Sequence, residues 1–539
     1  MLRIHAAGIA LLLSAVGWPA AALGAGPEEI AWMYEPDAVV EMHLGGLSEE
    51  ELDALEAVPD EYQKGTFELK VNGVTKGVPL VDVGIRRKGG FGSSRPIKTG
   101  KSGLKVRFDE FVKGQLFFGI KRLTLNNMVQ DESMVHETLT YELFHALDLP
   151  ASRTGYAFVT LNGVKYGLFL NLETLDEVSL PQWFPTTGHL YEADEAGVDV
   201  RPGAAKDFEV DEGDDEDLSD LEALIAAAND KEGDWSDGMD AVSDLGRMTA
   251  QWAVERYVAH WDGYAGALEQ TPDPEDPIRP NNYYLHSDEA GIFQMMPWGT
   301  DQTWEFDALG FEDPAGGLMF NECLADATCK ELYLQGLTDI HCANQDLDQG
   351  AHAVQLAAML DPYQDEEDEA RRGYSAEEIA DEVGNVEGFA VLRAQQLADY
   401  LTSQGALGAA EDPCDEIVVP PPTQNGPTVP PPPPVATGKV WIGPSRVKGN
   451  FVSTRLNVPG AGKATQRVTT RLDGRRVRAC AGEKYRARAG RLTVRCRLPA
   501  RVRKAFEAGQ VKLTVRAGFV PDAGTPEFDI RRLHIPKRR

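Results

Sequence analysis

The sequence predicts an α+β fold for most of the chain, followed by a small all-β domain at its C-terminal end. Three observations support this prediction. Strand-like and helix-like patterns alternate over roughly the first 400 residues, a proline-rich stretch follows them, and short alternating strands fill the remainder. The chain has 539 residues, which is enough for more than one domain of about 100–200 residues.

Residues 1–25 have the layout of a signal peptide. A short basic start with Arg3 precedes an apolar run from Ala6 to Val16 and a series of small residues from Ala20 to Ala25. The run is shorter than the ~18–20 residues that a membrane-spanning helix needs, and no later stretch is long and apolar enough. We expect cleavage near Ala22 to Ala25 and a secreted or envelope-associated protein; a buried or membrane-anchoring helix is the alternative.

The large region, residues 26–417, alternates between strands and helices in an order typical of a bilobal, protein-kinase-like α+β domain. Asn-Gly pairs, which favour tight turns between strands, indicate two of its hairpins. Helical spacing of apolar residues indicates its helices. The predicted strands are Phe67–Val78 (a hairpin around Asn72-Gly73), Val81–Arg87, Leu104–Phe108, Tyr156–Leu161 with Tyr166–Leu172 (a hairpin around Asn162-Gly163), Tyr283–His286 and Ile292–Pro297. The predicted helices are Met134–Leu147, Leu218–Ala228, Ser243–His260 and Glu377–Leu401.

A proline-rich linker, residues 418–438, marks the end of this region. Proline runs adopt an extended conformation and act as semi-rigid spacers. The following domain, residues 439–539, is predicted to be an immunoglobulin-like or fibronectin-like sandwich of about seven strands. Its predicted elements are a hairpin at Arg467–Arg478 around Asp473-Gly474, a hairpin at Tyr485–Leu498 around Ala489-Gly490, a helix at Ala500–Ala508, and strands at Val511–Val520 and Phe528–Ile535.

Charge is divided unequally between these two regions. Residues 439–539 contain 26 basic and 6 acidic residues, a net charge of +20, whereas the whole chain has a net charge of −32. The remainder therefore carries −52, which disfavours nucleic acid as a partner. The basic domain is either simply solvated or docks on an anionic cell-wall polymer or polysaccharide, and the sequence leaves both open.

Six cysteines are consistent with export to an oxidising compartment. Cys480 and Cys496 are expected to pair within the basic domain. The other four allow three pairings, and no C-x-x-C motif indicates a zinc site. These four are Cys323, Cys329, Cys342 and Cys414.

Four segments together resemble the CotH (spore coat protein H) kinase family, an atypical branch of the protein-kinase-like fold. They are GIRRKGGFGSSRPIKTGKSGLKVRF from Gly84, LTLNNMVQDESMVHETLTYELFHALDLPASRT from Leu123, the stretch Tyr156–Asp176 around NGVKYGLFLNLETLD, and Trp261–Phe306 with WDGY, NNYYL and PWGTDQTWEF. The resemblance covers roughly residues 60–400. It implies transfer of phosphate from ATP, with Mg²⁺ or Mn²⁺, to a Ser or Thr hydroxyl of a surface or coat protein.

The resemblance also implies how the nucleotide phosphates are held. A glycine-rich turn after a strand lets backbone N–H groups approach phosphate oxygens. The turn contains Gly89, Gly90, Gly92, Ser93 and Ser94. Lys105, on the following strand, is expected to contact the α- and β-phosphates and to pair with Glu137 of the next helix, or else with Glu142.

The remaining predicted site residues lie in the fourth segment. Asp262 resembles the proton-accepting aspartate, and Asn282, or Asn281, resembles the metal-binding asparagine. Asp301 resembles the aspartate that holds Mg²⁺ across the phosphates. Many family members have two aspartates there, and Gly299 stands at the first of these positions.

The acidic stretch Asp207–Glu222 is either a solvated loop or a calcium site, because clustered carboxylates suit Ca²⁺ although the EF-hand pattern is absent. Two further functions stay open besides kinase activity. One is a catalytically inactive surface or adhesion protein that keeps the fold and is anchored by its basic domain. The other is a secreted hydrolase or calcium-dependent binding module.

Overall fold

The computed structural model describes most of the large region and the strands of the basic domain. The described residues are 30–90, 92–193, 197–266, 280–305, 309–367, 369–407 and 414, and, near the C-terminus, 441–448, 451–459, 462–472, 475–486, 490–498, 500–508, 511–521 and 527–533. The predicted signal peptide and the predicted proline-rich linker lie outside them. Within the described residues, no helix combines the length and the apolar character needed to cross a bilayer.

The chain has mixed α and β structure and divides into two compact units. The first unit contains the described part of Met1–Lys330 together with Ala353–Val386, and the second contains Glu331–His352 together with the described part of Glu387–Arg539. Every predicted catalytic, nucleotide-binding or metal-binding residue lies in the first unit.

A closed seven-stranded barrel forms the first half of unit one. Its strand order is β1-β2-β3-β4-β5-β7-β6, and a parallel pairing of β1 with β6 closes it. Apolar side chains such as Ile85, Leu104 and Val106 fill the interior, which leaves the alternate residues on the outer face. The strands are β1 (Val39–Gly45), β2 (Gln63–Val71), β3 (Val74–Lys88), β4 (Gly103–Arg107), β5 (Arg122–Asn126), β6 (Thr154–Leu161) and β7 (Val164–Leu172). Both predicted hairpins are present, with turns at Asn72-Gly73 and Asn162-Gly163.

One strand replaces two that were predicted at the start of this region. The sequence indicated a strand ending at Val78 and another at Val81–Arg87, but β3 runs without interruption from Val74 to Lys88. Gly77, Pro79 and Asp82 break the apolar alternation there. The strand absorbs them as bulges, with register shifts against β2 and a φ of +56° at Asp82.

Two helices accompany the barrel, and a second sheet follows it. Helix α1 (Glu49–Ala57) begins with a capping box at Ser48 and Glu51, and α2 (His136–Ala146) is the predicted amphipathic helix. The second sheet has the order β11-β10-β8-β9. Its strands are β8 (His189–Glu192), β9 (Glu209–Glu212), β10 (Tyr283–Ser287) and β11 (Phe293–Pro297). The sequence predicted β10 and β11 but missed β8 and the acidic β9.

Helices make up most of the remaining described residues before the basic domain. The predicted helices correspond to α3, α5 and α10 within a few residues at each end. The helices are α3 (Ser219–Ala228), α4 (Trp235–Asp240), α5 (Leu245–Tyr257), α6 (Leu318–Ala325), α7 (Ala327–Asp346), α8 (Gln349–Gln364), α9 (Glu369–Arg372) and α10 (Ala376–Ser403). The cysteine pairing that the sequence left open is Cys323–Cys329 and Cys342–Cys414.

The described residues of the basic domain form seven strands in two sheets. One sheet has the order β12-β13-β16 and the other β15-β14-β17-β18. Residues of both sheets, including Val452, Val468, Cys496 and Val515, share one apolar cluster. The strands are β12 (Trp441–Lys448), β13 (Phe451–Val458), β14 (Gly462–Leu472), β15 (Arg475–Arg486), β16 (Gly490–Arg497), β17 (Leu513–Pro521) and β18 (Glu527–Leu533), and α11 (Ala500–Glu507) lies between β16 and β17.

The predicted hairpin at Tyr485–Leu498 is wrong. Strand β16 pairs along its whole length with β13 of the other sheet, so the chain crosses between sheets after β15. A turn signal fixes where a strand ends and does not fix which strand it pairs with. The predicted disulfide Cys480–Cys496 is present and joins β15 to β16, and hence one sheet to the other.

Candidate active site

Two asparagines hold the carboxylate of Asp262. Asn281 Nδ2 donates to Asp262 Oδ1 at 2.9 Å, and Asn282 Nδ2 donates to Asp262 Oδ2 at 2.8 Å and to its backbone carbonyl at 2.9 Å. Burial raises the pKa of Asp262, and the two amide hydrogen bonds oppose that increase. The long insertion that separates these residues in sequence therefore does not separate them in space.

The loop that carries Asp262 is fixed by the end of α5. Glu255 Oε2 accepts a hydrogen bond from the backbone N–H of Ala265 at 2.6 Å, and Trp304 donates its backbone N–H to Val258 O at 2.8 Å. His260 contacts the carbonyl oxygen of Gly299 through Nε2 at 3.1 Å. Burial lowers the pKa of His260 to about 4, so this histidine is neutral near pH 7. The loop is thereby tied to the segment after β11.

Gly299 faces the amide of Asn282 at very short range. A Cβ atom at position 299 would lie 2.6 Å from Asn282 Oδ1 and 2.8 Å from Asn282 Cγ. The φ angle of Gly299 is +49°, in the left-handed region that favours glycine. The absence of a side chain at this position is therefore what allows Asn282 to reach Asp262.

Asp301 is half-buried beside α2. His136 Nδ1 lies 2.9 Å from the backbone oxygen of Asp301, which ties this segment to the first turn of the helix. Burial raises the pKa of Asp301 to about 6; Lys88 opposes the increase, and Asp131 and Asp262 add to it. The charges of Asp262 and Asp301 thus act on each other, as expected for two acids in one site.

Glu137 on α2 lies close to Asp301 in the same buried region. Its Oε2 accepts a hydrogen bond from Asn126 Nδ2 at the end of β5, while its Oε1 has no hydrogen-bond partner. Burial raises the pKa of Glu137 to about 8; Asp301 adds to this increase, and Lys88 lowers it. The cation that acts on both acids is therefore Lys88, the last residue of β3.

Lys105 stands on the same outer face of the barrel but has a different set of neighbours. It pairs across the sheet with Arg86 of β3 and Thr124 of β5. Burial lowers its pKa, Arg86 and Lys88 lower it further, and Glu192 and Asp211 of the second sheet raise it. Among the described residues, no hydrogen bond or ion pair joins Lys105 to Glu137, the partner expected from sequence.

Two other lysines near the glycine-rich turn form ion pairs with carboxylates outside the site. Lys98 forms ion pairs with Asp53 at 2.6 Å and Glu49 at 3.1 Å. Lys101 is fully buried and forms an ion pair with Glu367 at 2.8 Å. The charge of Glu142 acts on His145, whose pKa burial lowers and Glu142 raises.

The glycine-rich turn is anchored at its base. Arg87 donates to Ser94 Oγ at 3.1 Å and to Arg95 O at 2.7 Å, and Asn127 Nδ2 donates to Ser93 O at 2.9 Å. Gly89 and Gly92 have φ angles of +133° and +82°, and Gly89 and Gly90 are exposed. The turn follows Lys88 directly, so it extends from the end of β3 next to the acids.

The charges in this region favour a cation. The acids Glu137, Asp301, Asp131 and Asp262 act on one another, and Lys88 is the basic residue that most strongly opposes the raised pKa of Asp301. Within the described part of the chain, no three His, Cys, Asp or Glu side chains are grouped so that they alone could hold a metal ion. One or two carboxylates plus substrate phosphates is the usual arrangement for Mg²⁺, and Asp301 can supply such a carboxylate.

The acidic stretch Asp207–Glu222 mostly serves the fold. Residues 209–212 form β9, and Asp220 accepts hydrogen bonds from Tyr191 at 2.6 Å and Ser287 at 2.5 Å and contacts His189 at 2.9 Å. Asp217 accepts from the backbone N–H of Ser219 at the start of α3. Calcium binding at this stretch stays a prediction.

Sequence reasoning missed several residues of the site. Lys88 was missed although it directly precedes the glycine pair, because the resemblance implies a phosphate-binding lysine on the strand after the turn. Asn126 and Asp131 were missed as well. Asp131 accepts from the backbone N–H groups of Met134 and His136, both at 2.8 Å, and so fixes the start of α2. The sequence signal that could have indicated Asn126 is the pair of successive asparagines, Asn126 and Asn127, at the end of β5.

Comparison with known proteins agrees with this architecture. The family model described as CotH kinase protein matches residues 85–397, more than half of the chain. The chain is similar to inner spore coat protein H of Bacillus subtilis (strain 168), with 24% identity over 212 residues. That match covers 37% of this chain and 54% of the relative, so the similarity spans about half the length of the relative.

Proposed function

The chain belongs to the CotH kinase protein family, and from this premise we propose that it is an exported protein kinase. It transfers the γ-phosphoryl group of ATP to a Ser or Thr hydroxyl of a coat or surface protein. The name of the Bacillus relative, a spore coat protein, supports association with the cell envelope or coat. Three disulfides suit an oxidising compartment.

One observation carries the kinase proposal. Asp262 accepts hydrogen bonds from Asn281 and Asn282, which lie far from it in sequence. Asp301 interacts electrostatically with Asp262, and the charge of Lys88 acts on both Asp301 and Glu137. Phosphoryl transfer depends mainly on positioning and on electrostatic stabilisation, and this arrangement supplies both a proton acceptor and charges for the phosphates.

Each residue has a distinct role in the proposed reaction. Asp262, oriented by two amides, accepts the proton of the attacking hydroxyl, whose oxygen forms a bond to the γ-phosphorus as the bond to the β-phosphate oxygen breaks. Asp301 and Asn282 would hold Mg²⁺ or Mn²⁺, and such a cation would neutralise charge on the phosphates. Lys88 and Lys105, both on the outer face of the barrel, contact phosphate oxygens, and the turn from Gly89 to Ser94 covers them.

The buried acids fit a divalent cation. Asp301 and Glu137 have raised pKa values because they are buried near other acids with one lysine to offset them. A divalent cation supplies the positive charge that such a group needs. Glu137 Oε1 is a buried oxygen without a hydrogen-bond partner, as expected if a further positive group approaches it.

A catalytically inactive surface protein is the second candidate, and Gly299 is the observation that favours it. The resemblance places a carboxylate at this position in many family members, and here the Asn282 amide occupies that space. Such a protein would bind nucleotide weakly or not at all and would act through its other surfaces. The transfer assay below distinguishes the two candidates.

Transfer of labelled phosphate from ATP tests the proposal directly. The full chain is incubated with Mg²⁺ or Mn²⁺ and with dephosphorylated casein as a Ser/Thr acceptor. We expect labelled casein or labelled chain, and a loss of at least about 100-fold in Asp262→Asn, because general base catalysis contributes about 10²–10⁴-fold. Asp215→Asn, an exposed acid with no role in the site, should match the wild type. Absence of labelling in the wild type with every metal would favour the inactive surface protein.

We propose further that residues 439–539 form an immunoglobulin-like or fibronectin-like sandwich joined by a proline-rich spacer. The two sheets with a common apolar cluster support this assignment. With its net charge of +20, this domain docks on an anionic cell-wall polymer. Binding of the full chain to isolated cell walls that weakens as salt rises would support the anchor, and binding that salt leaves unchanged would contradict it.

A further inference from the structure

The three-stranded sheet β12-β13-β16 has one face that is rich in basic residues. Its register places Arg446 opposite Ser453 and Ser453 opposite Arg495, so these residues cross the sheet in a row. Arg455 lies two positions further along β13. The exposed side chains of Arg446, Arg455 and Arg495 contrast with buried Val452, Thr454 and Val494 at the alternate positions.

The same face offers additional basic positions and no acidic ones. Alternation along the strands places Lys448, Arg491 and Arg497 at positions on the face of Arg446 and Arg495. The three strands contain no Asp or Glu. The strands of the other sheet include Glu483, Glu527 and Asp529, so its charge is mixed.

The chemistry of this face fits a linear phosphate polymer. Neighbouring strands lie about 4.8 Å apart and same-face residues along a strand about 6.8 Å apart, so the basic positions of β12 and β16 lie on either side of Ser453 and Arg455 of β13. Five of the six basic residues at these positions are arginine, whose planar fork binds phosphate oxygens in pairs. Among the described residues, Arg446, Arg455 and Arg495 have no ion-pair partner, so their charges are available.

We propose that this face, which we name the arginine face (Arg446, Lys448, Arg455, Arg491, Arg495 and Arg497), binds a phosphodiester polymer of the cell wall. The proposal rests on the anchoring role proposed above and names its site and its ligand. It is independent of kinase activity. A polymer lying across the three strands meets several arginines at once, and the acidic remainder of the chain is repelled from the same polymer.

Two triple variants of the full chain test the assignment. The face variant is Arg446→Gln, Arg455→Gln and Arg495→Gln. The matched control is Lys484→Gln, Lys504→Gln and Lys512→Gln, which removes the same charge from exposed positions outside this sheet. All six side chains are exposed, so both variants should keep the wild-type melting temperature. Binding to soluble poly(glycerol phosphate) is measured at several salt concentrations, with a polyuronate of equal charge concentration as the comparison ligand.

We expect the face variant to bind poly(glycerol phosphate) at least about tenfold more weakly than the wild type and the control. Its salt dependence should also fall, by about 2 in the slope of log K against log salt, since each lost phosphate contact removes roughly 0.7–0.9. The polyuronate should bind more weakly than the phosphate polymer.

Several results would overturn the proposal in distinguishable ways. Equal losses in both variants would mean that net charge, not this face, determines binding, while the anchoring role would survive. Equal or tighter binding of the polyuronate would make the ligand a carboxylate polymer. Self-association of the wild type at low salt that the face variant abolishes, without polymer binding, would make a second copy of this chain the partner. No binding by the wild type would remove the anchoring role itself.

Discussion

At the scale of single residues, the site depends on a small space beside Gly299. The Asn282 amide fills this space and reaches both the backbone and the carboxylate of Asp262. The orientation of the proposed proton acceptor therefore depends on a residue that carries no functional group. A sequence pattern cannot reveal this dependence, because it records the missing carboxylate and not the side chain that replaces it.

Gly299→Ala should disrupt this arrangement. The new Cβ meets Asn282 Oδ1 at 2.6 Å, and a left-handed backbone costs an L-residue about 1–2 kcal/mol. We expect phosphoryl transfer to fall by at least about tenfold as Asn282 is displaced. Gly203→Ala is the control, because Gly203 also has a positive φ but nothing lies within 4 Å of its Cβ position. Similar losses in both variants would show that backbone strain alone is responsible.

Lys88 and Lys105 of the barrel face, for which the described residues provide no ion-pair partner, should differ in their contribution to nucleotide binding. Lys88 lowers the pKa values of both Glu137 and Asp301, whereas Lys105 is placed between Arg86 and the acids of the second sheet. We expect Lys88→Met to weaken Mg·ATP binding by at least about tenfold, or 1.4 kcal/mol, measured by calorimetry. Lys105→Met should have the smaller effect. A larger effect of Lys105→Met than of Lys88→Met would mean that Lys105, on the strand after the glycine-rich turn, is the main phosphate contact.

Cation binding should depend on pH through Asp301. Its pKa is raised to about 6, so protons compete with the cation below that value. We expect affinity for Mn²⁺ to fall about tenfold per pH unit below pH 6. The shift in melting temperature that Mn²⁺ produces at each pH is the measurement. Without a cation, the pH dependence of stability that comes from Asp301 has the opposite sign. A carboxyl group whose pKa is raised in the folded state stabilises the fold below its unfolded pKa, and this contribution is lost as pH rises through 6. Cation affinity that is unchanged between pH 5 and pH 7 would contradict the assignment of Asp301.

At the scale of elements, the sequence predicted best what local patterns determine. Asn-Gly turns located two hairpins, and apolar spacing located α2, α3 and α5. It failed where pairing is non-local: β16 crosses to another sheet, and β9 forms from acidic residues because β8 offers it an edge. In the site, the roles that the resemblance gives to Asp262 and Asp301 stay predictions. Which lysine acts on Glu137 depends on the strand end that faces α2, and only the closed barrel determines that.

The segment after α8 is fastened to the barrel by a buried ion pair. Lys101 and Glu367 are both fully buried and 2.8 Å apart, and Lys101 Nζ also donates to Leu168 O at 3.2 Å. Arg371 reinforces the contact by donating to the carbonyl oxygens of Gly100 and Lys98. The same stretch carries Lys101 O, which accepts from Asn127, the residue that anchors Ser93 in the glycine-rich turn.

Breaking one side of this pair should be more costly than removing both. Glu367→Leu leaves a buried lysine without its partner, a loss of about 3–5 kcal/mol in the free energy of unfolding. Glu367→Leu with Lys101→Met replaces the pair by apolar groups and should recover most of that loss. Chemical denaturation of both variants provides the measurement. If the double variant is as unstable as the single one, the loss does not come from the unpaired charge of Lys101.

At the scale of the whole molecule, residues 439–539 carry a net charge of +20 and the remainder of the chain carries −52. This charge asymmetry is visible without any structure, and the division into an acidic family domain and a basic β-domain stays a prediction. Which residues form a surface is not visible in this way. The arginine face emerges only when the register of β12, β13 and β16 is known, since many other arginines lie on the second sheet.

The same limit applies to the proposed activity. Family membership follows from a match over residues 85–397, but a shared fold does not establish chemistry. In this chain Asp262 is oriented by two amides and interacts electrostatically with Asp301, although Gly299 stands where many family members have an aspartate. Binding of nucleotide and cation is therefore the property on which the account depends.

Calorimetric titration of the full chain with Mn·ATP at pH 7.5 measures that property most directly. We expect saturable binding to one site, lost in Asp301→Asn and unchanged in Asp215→Asn, whose side chain is exposed. Asp262→Asn should retain binding, because Asp262 acts on the acceptor hydroxyl. No binding by the wild type, or equal binding by Asp301→Asn, would show that these acids do not form a nucleotide and metal site.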